Sequence, residues 1–175
     1  MPPAGGTIPS EGASRRRSEA IIVKSIGNQK SEKKIGAKME FKKLIKYPHL
    51  GPEDAAIWAR FIDKNPGFFN SVEYDVKVGE GRDYSSLPAD QYSEDLQYLS
   101  FKRIDVIGFR DSEIYIIELK PQANLQAMGE ALGYAQLFKE QDKTGRKILP
   151  AIITNQILPD MENLTAKNGV LIFQA

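Results

Sequence analysis

Residues 102–120 read KRIDVIGFRDSEIYIIELK, and this stretch decides the fold. Two largely apolar runs lie on either side of the polar pair Asp111-Ser112, which predicts a β-hairpin. The first strand should cover residues 102–110, and the second should cover residues 113–120. The second strand is apolar over most of its length, which is typical of a central strand that is buried on both faces.

The hairpin also predicts which charged side chains meet. Pairing the strands symmetrically about the turn sets Asp105 opposite Glu118, and the alternation of side chains puts Lys120 on the same face as both. Two facing carboxylates repel by up to about 1 kcal/mol, a cost that a divalent cation would reverse. Lys120 would offset the charge further and could stabilise charge that develops on a phosphate. The alternative interpretation is a set of solvated structural charges, because Glu-x-Lys is common on strands.

Length and composition bound the remaining possibilities. The chain has 175 residues, no cysteine and a single histidine, His49. Disulfides, thiolate metal sites and cysteine catalysis are thereby excluded, and a catalytic metal must be held mostly by oxygen ligands, which favours magnesium, manganese or calcium. No apolar run approaches a membrane span, and no apolar block follows a basic start, so we expect neither a membrane segment nor a secretory signal. The expected location is the cytoplasm, or a virion if the chain is phage-encoded.

Charge is unevenly distributed along the chain. Residues 1–46 carry a net charge of +7 and residues 47–175 a net charge of −6. A basic arm on an acidic body is typical of proteins that contact a polyanion, although a solvated leader kept soluble by its charge has the same pattern. The predicted nucleic-acid contacts in the arm are Arg15, Arg16, Arg17, Lys33, Lys34, Lys42 and Lys43.

The N-terminal arm should be partly disordered, and the body should begin near Tyr47. Residues 1–19 are rich in Pro, Gly, Ser and Arg and are predicted to be flexible. A short β-like run covers residues 20–24, and an irregular apolar stripe allows a short helix over residues 35–46.

The body, residues 47–175, is predicted to be one α/β domain with a mixed sheet and helices on both faces. Residues 79–100 should form a long functional or disordered loop, because glycines, prolines and acidic residues dominate there. Gly129 and Gly133 should let the helix after the hairpin approach the sheet closely. The other predicted elements are a helix from Pro52 to Ile62, a strand over 68–78 with one buried face, a helix over 124–140, a strand over 147–154, a helix over 158–167 and a strand over 170–173.

The segment Ile104-Asp105-Val106, with Glu118-Leu119-Lys120 following thirteen residues after the aspartate, resembles the PD-(D/E)XK nuclease superfamily. That superfamily has the restriction-endonuclease-like fold, whose core runs helix, three strands, helix, strand. The resemblance covers about residues 52–155 and leaves out the N-terminal arm.

The resemblance implies roles for the residues of the motif. Asp105 and Glu118 would be ligands of a Mg²⁺ or Mn²⁺ ion, and the main-chain carbonyl of Leu119 would complete the metal shell. Lys120 would be the catalytic lysine.

Two helices would add to this site by the same resemblance. Many members carry an acidic residue on the first helix, where Glu53 is slightly preferred over Asp54. Many also have a Gln-x-x-x-Tyr motif on the helix after the third strand. In this chain Tyr134 matches the tyrosine, while Glu130 stands in the position of the glutamine.

Three functions fit this sequence. The first is a metal-dependent nuclease that hydrolyses phosphodiester bonds in DNA. The second is a catalytically silent module of the same fold, used for nucleic-acid binding or as a phage structural or assembly protein. The third is a Holliday-junction-like resolvase, which would need a dimer. The expected partner is nucleic acid, in particular DNA, with a homodimer or a larger phage or repair assembly as a further expectation.

Overall fold

The computed structural model describes residues 37–88 and 90–175. These residues form four helices and one five-stranded sheet whose strand order follows the chain order. The elements are α1 (Pro52–Lys64), β1 (Ser71–Val78), α2 (Gln91–Ser100), β2 (Lys102–Arg110), β3 (Glu113–Gln122), α3 (Leu125–Gln141), β4 (Lys147–Gln156), α4 (Pro159–Lys167) and β5 (Leu171–Gln174).

The sheet is mixed, as predicted. β1, β2 and β3 are antiparallel neighbours, whereas β4 runs parallel to β3 and β5 runs parallel to β4. The hairpin register is the symmetric one, since Arg110 pairs with Glu113 and Val106 with Ile117. The order α1, β1–β3, α3, β4 is the order helix, three strands, helix, strand that the resemblance implies, with α2 inserted and α4–β5 following. In the described ranges, no helix is long and apolar enough to cross a membrane.

Helix α1 forms one side of the core. Pro52 stands in its first turn with two carboxylates, an arrangement that the helix dipole favours. Its buried face carries Trp58 and Phe61, which stack at 5.6 Å between ring centroids. The indole N–H of Trp58 donates to the hydroxyl of Tyr74 on β1 at 2.9 Å, so the helix is fixed in rotation against the sheet.

Close packing on the α1 side of the sheet requires glycine at position 108 of β2. A Cβ atom there would lie 2.5 Å from a ring carbon of Phe69, closer than real contacts allow. Phe69 packs edge-to-face against Phe68 and Tyr115, so its ring is held from several directions.

Helix α3 covers the other side of the sheet through small residues. Ala127, Ala131 and Ala135 are buried there, and Phe138 completes the face. The prediction that Gly129 and Gly133 make the close approach is wrong: a Cβ atom at either position would meet nothing within 4 Å. Alanines at four-residue spacing provide the contact instead.

The predicted loop over residues 79–100 contains helix α2, and the prediction is wrong in that part. The backbone amide of Ser93 donates to the carboxylate of Asp90 at 2.9 Å, and the backbone amide of Asp90 donates to the hydroxyl oxygen of Ser93 at 3.3 Å. This reciprocal capping box begins the helix. Tyr92 and Tyr98 on it are exposed.

The buried side chains of β1 and β2 switch from one face of the sheet to the other at Asp75 on β1 and Asp105 on β2. Tyr74 and Val106 pair with each other and pack in the core beneath α1, whereas the next pair, Val76 and Ile104, packs beneath α3. The residue between Tyr74 and Val76 is Asp75, whose backbone is left-handed with φ 56°. The predicted single buried face of this strand is therefore wrong, because its apolar residues are divided between both sides of the sheet.

Part of the segment assigned to the arm packs on the body. Met39 forms a β-bridge with Val72, and the ring of Phe41 lies edge-on to Trp58 at 5.5 Å. The helix predicted over residues 35–46 is not formed in the part of it that the structure describes. The predicted flexible segment 1–19 and β-like run 20–24 lie outside the described residues.

Candidate active site

Asp105 lies where β2 parts from β3. Its carboxylate accepts a hydrogen bond from the backbone amide of Leu119 at 2.9 Å, so it reaches the β3 backbone at the residue next to Glu118. Burial raises the pKa of Asp105, the bond from Leu119 opposes that shift, and the charge of Asp54 adds to it. The carboxyl is thus held in a position where its negative charge is costly.

Glu118 is the more buried of the two predicted metal ligands, with 4% of its surface exposed. Burial raises its pKa, and the like charge of Asp105 raises it further. In the part of the chain that the structure describes, its buried Oε2 atom accepts a hydrogen bond from no donor. Such an oxygen needs a proton, which it can share with the carboxylate of Glu130, or a cation, since desolvation without compensation is unfavourable.

Lys120 is bound between two carboxylates. Its Nζ lies 2.8 Å from Oε1 of Glu118 and 3.3 Å from Oε2 of Glu130. Burial works against its charge, but the interactions with Glu118 and Glu130 outweigh burial and raise the pKa of Lys120. The lysine therefore stays protonated at neutral pH in this arrangement.

Helix α3 contributes two polar residues to the site. Burial opposes the charge of Glu130, but hydrogen bonds with Gln126 and Glu118 and the charge of Lys120 lower its pKa. Tyr134 lies one turn further along. Burial and then the charges of the nearby carboxylates, Glu130 first, raise the pKa of Tyr134 to about 12. Its hydroxyl thus keeps its proton and is available as a donor.

The first helix turns Asp54, rather than Glu53, toward the site. Burial raises the pKa of Asp54, and the charge of Lys120 opposes that shift. The charge of Asp54 in turn acts on Asp105. Glu53 is exposed and acts on its neighbour Asp54. The preference for Glu53 is corrected to Asp54, because rotation of α1 against the sheet decides which carboxylate faces inward.

The donor atoms suit a hard divalent cation. In residues 37–88 and 90–175, no three His, Asp or Glu side chains converge as a complete metal shell. The pair Asp105 and Glu118 offers carboxylate oxygens, one of them buried and unpartnered, beside the backbone of Leu119. Carboxylate and carbonyl oxygens are the ligands of Mg²⁺ and Mn²⁺, so the residues present fit such an ion.

Two of the predicted nucleic-acid contacts are paired with carboxylates, one within the same N-terminal segment and one on α1. Lys42 lies 2.6 Å from Glu40, and Lys43 lies 2.5 Å from Asp63. Both lysines keep more than half of their side chains exposed. Arg15, Arg16, Arg17, Lys33 and Lys34 lie outside the described residues.

Sequence reasoning missed a second polar group beside Asp105. His49, Asp75 and Arg103 line a cavity of about 240 Å³ that Asp105 also lines. The only signals in the sequence were a lone histidine and an aspartate in the middle of an apolar strand. Neither signal shows that His49 and Asp75 meet, because in the sequence His49 lies in the loop before α1 and Asp75 lies on the strand after it.

No family model matches the sequence, and no curated protein matches it. A repair endonuclease from Pyrococcus abyssi is similar in structure, with 19% identity, a TM-score of 0.43, and coverage of 74% of this chain and 49% of that one. An EndoMS–double-stranded DNA complex gives 19% identity, a TM-score of 0.42, and coverage of 75% and 48%. A protein of unknown function is similar as well, with 22% identity, a TM-score of 0.37, and coverage of 65% of this chain and 52% of that one. The chain spans about half the length of these proteins.

Proposed function

We propose that this protein is a metal-dependent nuclease that hydrolyses phosphodiester bonds in DNA. The observation that carries the proposal is the meeting of Asp105, Glu118 and Lys120 where β2 and β3 part. Burial raises the pKa of the Asp105 and Glu118 carboxyls, and among the described residues no donor hydrogen-bonds to the buried Oε2 atom of Glu118. Such a cluster is unfavourable without a ligand, which supports a function for it.

The metal would be held by the carboxylates of Asp105 and Glu118 and by the carbonyl of Leu119. When bound, a divalent cation polarises the phosphate and makes a water molecule more acidic. Asp105 is already oriented for this role, because the amide of Leu119 fixes one of its oxygens.

Lys120 and Tyr134 act on the phosphate in this proposal. The lysine is held protonated by its two acidic neighbours, so it stabilises negative charge on the phosphate rather than removing a proton. The tyrosine keeps its proton and donates a hydrogen bond to a phosphate oxygen. Glu130 competes for Lys120 and should release it when a phosphate arrives.

The test is cleavage of labelled single-stranded, double-stranded and branched DNA in Mg²⁺, in Mn²⁺ and in EDTA. We expect cleavage with either metal and none in EDTA. Asp105→Asn should abolish it, while the matched variant Asp160→Asn, at an exposed position in the first turn of α4, should cleave like the parent. Cleavage that persists in EDTA, or that survives Asp105→Asn, would overturn the proposal.

A second candidate is the non-catalytic module that binds nucleic acid, alone or within a phage or repair assembly. The observation that favours it is the pairing of Lys120 with two carboxylates, which neutralises part of the site without a metal. This candidate predicts DNA binding without cleavage under all three conditions, and melting that is the same with and without metal.

A further inference from the structure

The cavity beside Asp105 has a polar lining that the proposed chemistry does not use. His49, Asp75 and Arg103 contribute to it, and its volume is about 240 Å³. That volume is large enough for several water molecules or one phosphate group. Because Asp105 also lines it, a ligand in this cavity would lie next to the proposed metal ligands.

Asp75 holds the other two polar residues in place. Arg103 donates to both carboxylate oxygens of Asp75, from Nε and from Nη2. The Nε2 atom of His49 lies 3.1 Å from one of those same oxygens. The side chain of Asp75 is only 14% exposed, whereas that of His49 is 63% exposed. Asp75 is thus an anchor, and His49 is the group that a ligand can reach.

The backbone at two of these residues is strained. His49 has φ 55° and Asp75 has φ 56°, both in the left-handed region that non-glycine residues seldom occupy. Strain of this kind persists where the surrounding structure imposes it, and it is concentrated at functional sites. Here the two strained residues contact each other, and both line the same cavity.

Positive charge extends from this cavity toward α2. The guanidinium carbon of Arg103 lies 5.4 Å from the ring centre of Tyr98, and Nζ of Lys77 lies 2.9 Å from it. Hydrogen bonds from Arg103 and then from Lys77 lower the pKa of Tyr98. Against these two cations stand two carboxylates, that of Asp75 and that of Asp105, which also lines the cavity and which the proposed metal would neutralise. A guanidinium also has five N–H donors, so a bidentate pair leaves others for a ligand.

We propose that this cavity binds a phosphate of the nucleic-acid backbone that neighbours the phosphate undergoing cleavage. Arg103 and the imidazolium form of His49 are its ligands, and Asp75 is the positioning residue that orients both of them. Nε2 of His49 faces Asp75, so the donor left for the phosphate is Nδ1–H of the doubly protonated ring. Arginine and imidazole donors are common ligands of backbone phosphates, and such contacts set the register of a strand on the protein. The inference rests on the proposed function for the identity of the polymer. The shared chemistry, a phosphate group, could also come from free phosphate.

The single histidine makes a direct test feasible. Because the chain contains one histidine, the imidazole NMR signals of the untagged protein belong to His49 alone. An oligonucleotide is titrated into the full chain in EDTA, where cleavage is not expected, and inorganic phosphate is titrated in a separate sample. We expect the oligonucleotide to shift the His49 signals, with the same dissociation constant as fluorescence anisotropy gives. Unmoved His49 signals at saturating oligonucleotide would overturn the inference.

The phosphate sample separates the two sources of the ligand. Shifts with both ligands, at far lower concentration for the oligonucleotide, support a backbone subsite. Shifts with inorganic phosphate alone would mean a site for the free anion and would also overturn the inference.

Variants add an independent measurement. His49→Ala should weaken oligonucleotide binding in EDTA by about tenfold, as expected for a lost hydrogen bond to a charged group. With metal, it should raise KM more than it lowers kcat. The control is Lys147→Ala, which removes an equally exposed cation, 67% exposed, from the first residue of β4, and it should bind normally. Equal affinity of His49→Ala and the parent would count against the inference.

The outcomes for this subsite and for the nuclease are separable. If the parent protein cleaves DNA but the His49 signals do not move, the nuclease proposal is supported and the phosphate subsite is refuted. Shifted His49 signals without cleavage under any metal remove the nuclease and leave a phosphate-binding site.

Discussion

At the scale of single residues, the candidate site holds carboxylates that repel one another and one lysine that offsets their charge. Asp105 and Glu118 have raised pKa values because both are buried; the charge of Asp54 adds to the shift of Asp105, and the charge of Asp105 adds to that of Glu118. Lys120 is the cation that offsets them while no metal is bound. Asp105 and Lys120 therefore contribute in opposite directions to the stability of the metal-free protein, and substitutions can separate them.

Asp105→Asn should leave the metal-free protein as stable as the parent, or slightly more stable. The amide oxygen of asparagine can still accept from the Leu119 amide, while one repelling charge is removed. The parent should gain about 2.7 kcal/mol at a hundredfold excess of metal over Kd, and the variant should lose most of that gain. Thermal melts of both proteins in Mg²⁺, Mn²⁺ and EDTA measure this. Identical melting of the parent in saturating metal and in EDTA would remove the metal site.

Lys120→Met should destabilise the metal-free protein by about 1–3 kcal/mol, because Glu118 and Glu130 would lose their shared cation. Added Mg²⁺ should recover part of that loss, since the cation replaces the missing positive charge. Cleavage should nevertheless be lost. Urea denaturation with and without Mg²⁺ tests the first two statements, and a variant as stable as the parent in EDTA would contradict them.

At the scale of elements, the sheet and its helices show what local sequence can predict. The β2–β3 hairpin and its register follow from alternation and a two-residue turn, which are properties of adjacent residues. Helix α2 was missed because its capping box uses a serine where glutamate or glutamine is the usual signal. The change of faces at Asp75 and the choice of Asp54 over Glu53 depend on packing between distant segments, and no local pattern contains that information.

Gly108→Ala should cost about 1–3 kcal/mol, because the added methyl group would collide with the ring of Phe69. The matched control is Gly133→Ala on α3. A methyl group there meets nothing within 4 Å, and alanine favours the helix by up to about 1 kcal/mol. Urea denaturation of both variants should therefore give changes of opposite sign. A neutral Gly108→Ala would mean that Phe69 is free to move.

Glu73 on β1 should make stability fall as the pH rises. It is 1% exposed, no donor within residues 37–88 and 90–175 hydrogen-bonds to its Oε2 atom, and burial raises its pKa from 4.5 to about 7. A folded state that binds the proton more tightly than the unfolded chain is most stable below about pH 4.5 and loses that contribution as the pH rises through about 7. Glu73→Gln should flatten this slope and stabilise the protein at pH 8 by up to about 3 kcal/mol.

Denaturation between pH 5 and pH 8 checks the prediction for Glu73. The control is Glu162→Gln, an exposed glutamate in the first turn of α4, which should leave the slope unchanged. Parallel pH profiles for the parent and Glu73→Gln would show that Glu73 titrates normally.

At the scale of the whole molecule, charge is divided between an acidic body and a basic N-terminal segment. The proposed site lies in the body, whose net charge would repel DNA. Attraction at long range would then depend on residues 1–46, while the cavity near His49 would act only after contact.

Removal of residues 1–34 should leave the body folded and weaken its binding to nucleic acid. Each lost phosphate contact should reduce the salt dependence of binding by about 0.9 on a log–log scale with duplex DNA. Anisotropy over a range of salt concentrations measures this, with the melting temperature as the control for folding. Unchanged affinity and slope after truncation would assign the basic segment another purpose.

The hydrogen bond from the Leu119 amide to Asp105 makes this backbone group a built-in spectroscopic reporter. Its proton points at a carboxylate rather than at a neighbouring strand, so its chemical shift should follow the ionisation of that carboxylate. Because the pKa of Asp105 is raised, the shift should titrate above the usual range for an aspartate. One amide resonance would then follow both protonation and the arrival of a cation, in a protein that needs no label beyond ¹⁵N.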